Sequence, residues 1–138
     1  MKRSKSGHSG FTLIELMVVM AIMSILFSLI GPMVQQQVDK VKASEEWYSF
    51  TQQSRQIAAL AFFQGKTYRL QLKGKQLQLY ANAELVKEQQ FEQLVFNEQQ
   101  VQFNANGYPD KTTITAQVRQ ATKTLSLVAQ QEKILGLQ

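Results

Sequence analysis

The chain has no cysteine and a single histidine, His8, among its 138 residues. Disulfide frameworks, thiolate metal sites and cysteine nucleophiles are therefore excluded. With one histidine, neither a multi-histidine zinc site nor a histidine-based triad is expected. Proline occurs twice and glycine seven times, and charged residues make up only 18%, which rules out collagen-like and wholly disordered classes. Length allows one ordinary core and no second one. The formal charge of +5 is also less than it looks. Lys2, Arg3 and Lys5 lie in the first ten residues, which contain no acid, and the rest of the chain has 12 Lys and Arg against 10 acids. The basic bias belongs mainly to the N-terminal tip.

What is present begins abruptly at residue 11. Residues 11–34, FTLIELMVVMAIMSILFSLIGPMV, form an apolar run in which Glu15 is the one charged member. As a helix it rises about 36 Å, enough to cross a hydrocarbon core of about 30 Å. The remaining chain is too small and too polar to enclose it as a soluble core helix. A cleaved secretory signal would have an apolar stretch of about 7–15 residues followed by a small-x-small site. Ile30-Gly31-Pro32 offers no such site; the small residues Gly7, Ser9 and Gly10 stand in front of the run. The run is expected to stay in the membrane, with processing upstream of it. Three basic residues before the span, against Lys40 and Lys42 after it, favour a cytoplasmic N-terminus and an exported remainder.

Gly10-Phe11-Thr12-Leu13-Ile14-Glu15, after a short basic leader, resembles the type IV prepilin motif. The resemblance implies cleavage by a prepilin peptidase between Gly10 and Phe11 and N-methylation of Phe11. It also implies a role for Glu15, which would pair with the α-amine of a neighbouring subunit's Phe11. A carboxylate within a span costs on the order of 2.5–3.5 kcal/mol, less near the interface, so an unpaired Glu15 would be expensive and a paired one would set register. Pro32 lacks an N–H and clashes with the carbonyl of Ser28, so it either ends the helix or kinks it. The amphipathic pattern beyond it, together with a proline often found at this place in the family, favours a kink, and Glu15 and Pro32 are the expected assembly residues.

Residues 35–63 read as an amphipathic extension. Ala43, Trp47, Phe50, Ser54, Ile57 and Ala61 recur at spacings of four and three, while Glu45, Glu46, Gln52, Gln53 and Arg55 fall largely on the other side. From Phe11 to Phe63 such a helix would be about 80 Å long. Gly65 is a left-handed cap candidate. Period-two alternation then marks Tyr68, Leu70 and Leu72, a glycine turn at Lys73-Gly74-Lys75, and Leu77 and Leu79. Further strands are expected over 91–96, 101–104, 113–118 and 123–128, punctuated by Asn106-Gly107 and Pro109-Asp110. The expected fold is α+β, a long N-terminal helix packed on a small antiparallel sheet. Its parts are a cleaved leader (1–10), a transmembrane helix (11–34), an amphipathic helix (35–63) and the sheet (64–138).

The run from Val101 to Pro109, the strand pair from Ile114 to Val128, and Trp47, Tyr48 and Phe50 are similar to minor pseudopilins of the H-type or FimT-like branch, and most to the ComGD-type competence pseudopilin. In place of a glycine-rich turn near the last strand stands Ala129-Gln130-Gln131-Glu132. The resemblance implies a structural subunit of a DNA-uptake pseudopilus in the cell envelope. Its implied partners are other pseudopilins, prepilin peptidase, a membrane assembly platform with its ATPase, and the lipid bilayer. A subunit of a type II secretion system or a type IV pilus fits the same motif.

Catalytic and cofactor signals are missing from the sequence. There is no phosphate-cradling glycine loop, no His-Glu metal motif and no nucleophile–base pair, so the chain reads as an enzyme's substrate without a cofactor of its own. Glu84, Glu88 and Glu92, four apart, read as a solvated face. A membrane-anchored DNA-binding module is the rival of another class, with Lys73, Lys75, Arg119 and Lys123 as its phosphate-binding candidates.

Overall fold

The computed structural model describes residues 10–134 and 136, at positions 130, 131, 133 and 134 by backbone alone. The basic leader expected over residues 1–9 lies outside the described residues. The chain divides into two compact units, Met1–Val38 and Asp39–Gln138.

Helix α1, Leu13–Gln64, contributes to both. Thr12 starts it: its hydroxyl accepts the Glu15 N–H at 3.3 Å and its carbonyl accepts the Leu16 N–H at 3.2 Å. This is N-capping, with Glu15 at the third helical position, where an acid suits the helix dipole. Helix does not end at Pro32; residues on both sides of it are helical. It ends at Gly65, whose φ of 60° carries the chain into the left-handed region. Lys66 then donates its N–H to the Ala61 carbonyl at 3.3 Å, the bond that closes a Schellman cap.

In the first unit no described residue of α1 is buried. Its large apolar side chains from Leu13 to Val34 are all exposed.

In the second unit, α1 buries Ala43, Phe50, Ser54, Ile57 and Ala61, the stripe expected from spacing, with Trp47 packed beside it. The buried Ser54 hydroxyl is satisfied by donating to the Phe50 carbonyl at 3.0 Å. This stripe lies on a six-stranded antiparallel sheet: β1 Tyr68–Gly74, β2 Gln76–Ala81, β3 Glu84–Gln90, β4 Leu94–Phe103, β5 Thr113–Val118 and β6 Ala121–Ser126. Spatial order is β3-β2-β1-β4-β5-β6. Alternation places Leu70, Leu72, Leu77, Leu79, Val101, Phe103, Ile114 and Ala116 in the core. Phe50 packs its ring against Phe96 and Phe91 at 5.0 and 6.2 Å between centroids. Such a buried aromatic hub contributes area and ring geometry together.

The β1–β2 hairpin has the expected glycine turn, Gly74 taking φ 57°. Three expectations need correction. Strand β3 occupies 84–90, the segment that carries Glu84 and Glu88, where no strand was expected. It is an edge strand with no buried residue, so no apolar alternation marks it. The segments 91–96 and 101–104 do not form two strands. β4 runs unbroken from Leu94 to Phe103, pairing with β5 at its start and β1 beyond. Its polar middle is exposed, which hid the continuity. Finally, β6 begins at Ala121, and residues 127–134 are helix α2, Leu127–Ile134. Ser126 caps it, accepting the Ala129 N–H at 3.4 Å.

Candidate functional site

Gly10, Phe11 and Thr12 precede the first helical residue and are exposed. Nothing lies within 4 Å of where a Cβ on Gly10 would be, and Phe11 is 83% exposed. Among the described residues, the Gly10–Phe11 peptide therefore precedes the helix and is not packed against other side chains. Glu15 is exposed one helical turn further on. Behind it the helix is long and apolar enough to cross a membrane: its most apolar 18-residue window has a mean hydropathy of 2.6, and none of that window is buried.

The four sheet cations are dispersed among internal partners. Lys73 pairs with Glu98 at 3.3 Å, both exposed. Lys75 donates to the Glu92 carbonyl at 2.9 Å. Lys123 sits 5.7 Å over the Trp47 ring. Arg119 occupies the β5–β6 turn at φ 59° and has an interaction partner of its own. Registers Gly74↔Phe96 and Leu94↔Val118 bring the β1–β2 and β5–β6 turns to the same end of the sheet, so Lys73, Lys75 and Arg119 share that end.

Sequence spacing missed the role of Glu46. Its carboxylate accepts three consecutive backbone N–H groups, from Glu92 and Gln93 at 2.8 Å and Leu94 at 3.1 Å. Charge-assisted bonds of this kind are about twice as strong as neutral ones. They fasten the loop between β3 and β4 to the helix. One turn earlier, Lys42 pairs with Glu92 at 3.1 Å. The hydrogen bond to Glu92, and then its negative charge, raises the Lys42 ammonium above its usual 10.5. A spacing of nearly fifty residues gave no local signal for either contact.

The 104–110 loop is similarly self-contained. Asn104 Oδ1 accepts the N–H groups of Asn106 and Tyr108 at 3.0 and 2.9 Å. Asp110 Oδ1 accepts the Gln102 N–H at 2.8 Å. Gly107, at φ 79°, packs so closely that an added Cβ would stand 2.8 Å from the Ala58 carbonyl oxygen.

Residues 5–31 match a family model described as the prokaryotic N-terminal methylation motif. This supports a type IV pilin-like protein. Comparisons with curated proteins and with solved structures found no match. The motif is the mark of a chain that prepilin peptidase processes and that assembles with other pilins, anchored by its apolar helix. The match covers Gly10, Phe11 and Glu15 and ends one residue before Pro32. Among the described residues no group of three His, Cys, Asp or Glu side chains is placed to hold a metal ion.

Proposed function

We propose that this pilin-like chain is a minor pseudopilin of a DNA-uptake pseudopilus. Prepilin peptidase cuts it between Gly10 and Phe11 and the new Phe11 is N-methylated. The single observation that carries the reading is the methylation motif standing directly before the apolar first half of α1, none of whose described side chains is buried. Once Phe11 is the terminus, its α-amine stands four residues before Glu15, just ahead of the helix. Within one chain the two groups lie at the same helix end. Between chains the amine of one subunit meets the Glu15 of the next, and low dielectric strengthens that attraction. The globular unit is exported, and the competence role draws on the resemblance of residues 101–109 and 114–128 to the ComGD-type branch.

N-terminal sequencing and intact mass of the mature protein test the processing. A methylated Phe11 terminus is expected; retained Met1, or a terminus beyond Val34, overturns the reading. Glu15→Ala is expected to abolish co-assembly while leaving membrane insertion intact. The same motif serves type II secretion pseudopili and type IV pili. Deleting the gene and comparing transformation with secretion and adhesion separates these, loss of transformation alone supporting the DNA-uptake role.

A further inference from the structure

The sheet has a second face, turned away from the core, and it is lined with amides. On β1, β2 and β4 the residues that alternate with the buried ones include Gln71, Gln76, Gln78, Gln100 and Gln102. A groove of about 320 Å³ crosses this face where the β1–β4 ladder is irregular between Leu72 and Gly74. A second, of about 190 Å³, is lined by Arg69 of β1, Tyr80 of β2 and Gln102 of β4, further along the same face.

These amides are only half used. Gln71 donates weakly to Gln100 at 3.5 Å, and Gln76 and Gln78 both donate to Glu88. Among the described residues the Gln71 and Gln76 carbonyl oxygens and the Gln100 NH₂ have no protein partner. At the far groove, the Arg69 guanidinium lies 5.0 Å over the Tyr80 ring, and its Nε is buried without an acceptor. Ala83, in the turn bordering that groove, is held at φ 73°, a region that costs an alanine strain.

The fold itself shows what such an amide recognises. Gln99, in the wall of the larger groove, donates to the Thr115 carbonyl at 2.6 Å and accepts the Thr115 N–H at 3.3 Å. One side-chain amide thus holds both polar groups of an extended residue, continuing the β4–β5 ladder beyond its two backbone-paired positions. Gln76 and Gln78, and likewise Gln100 and Gln102, lie two residues apart on a strand, about 6.7 Å, which is also the two-residue repeat of an extended chain lying along them. Charge argues against a polyanion. Arg69, Lys73 and Lys111 are nearly balanced by Glu88 and Glu98, and Glu98 already pairs with Lys73. Among the described residues the larger groove has no aromatic lining on which a base could stack.

We infer that this outer face binds an extended polypeptide segment of another pilin-like subunit, its backbone held by the glutamines and an acidic side chain received by Arg69. The inference rests on the proposed assembly with other pilins. The test uses the full-length chain in its host with a photo-crosslinking residue replacing Gln100, and separately replacing Val19 in the apolar helix. Adducts are identified by mass spectrometry. The Gln100 position is expected to capture the globular part of a second chain that carries its own methylation motif. Arg69→Ala is expected to lower that yield about tenfold, as loss of one charge-assisted bond implies. Gln102→Leu, which keeps the cation, lowers it less, and near-ultraviolet dichroism from Trp47 verifies that both variants fold. Val19 adducts to a pilin-like chain with none at Gln100, or Gln100 adducts only to glycan, lipid or nucleic acid, overturn the inference and leave the assembly reading standing. No pilin-like adduct at either position overturns both.

Discussion

Residues 13–38 and 39–64 of α1 are equally helical, yet the first set buries no side chain and the second buries five. The first set is the more apolar, so hydrophobicity alone does not decide burial. What decides it is whether the same unit supplies a surface to pack against. In the second unit the sheet presents one alternating apolar face, and only the stripe Ala43–Ala61 meets it. Residues 13–34 are apolar on every side but for Glu15 and two serines, and a helix of that kind asks for lipid or for other subunits. One helix therefore carries an unpacked apolar stretch and a core element, its first buried residue being Ala43.

The comparison breaks most visibly at Phe50. Phe50→Ala is expected to cost the second unit about 3–5 kcal/mol, read as loss of the near-ultraviolet signal of Trp47 at lower temperature. Membrane fractionation of the chain should not change. The converse substitution is Met23→Arg, which adds about 2.5–3.5 kcal/mol to insertion and should make the protein extractable from membranes. Tyr48→Arg, an exposed position of the second unit, should leave extraction unaltered.

Gly107 and Gly65 sharpen the contrast within the second unit. Both have positive φ, but only at Gly107 does a Cβ meet backbone, the Ala58 carbonyl at 2.8 Å. Gly65→Ala should cost about 1 kcal/mol and Gly107→Ala about 2 kcal/mol or more, by thermal unfolding. The smallest effect belongs to Lys42. Its folded value is raised, so the Glu92 contact stabilises below about pH 10.5 and is lost as pH rises through the folded value. In an NMR titration the Lys42 midpoint should fall back toward 10.5 in Glu92→Gln. Being exposed, the pair should hardly alter the unfolding temperature.

Much of this was legible beforehand. The 24-residue apolar run, the stripe at alternating spacings of four and three, the Gly65 cap, the β1–β2 hairpin and β5 all announce themselves through local periodicity. The methylation motif was readable because it is contiguous. Strand β3 was not: an edge strand buries neither face here, so Glu84 to Gln90 shows no alternation, and pairing with β2 alone makes it a strand. The start of α2, Leu127 and Val128, was read as the end of a strand because Leu125 and Leu127 stand two apart, one near the end of β6 and the other opening the helix.

The sequence by itself determined the anchor, the processing motif and the helix stripe, since each depends on neighbours a few residues away. Tertiary structure alone decided the strand order, the Glu46 clamp on the β3–β4 loop, the fit of Gly107 against Ala58 and the amide-lined outer face. Those join residues dozens of positions apart, and no local pattern encodes which distant N–H a carboxylate will find.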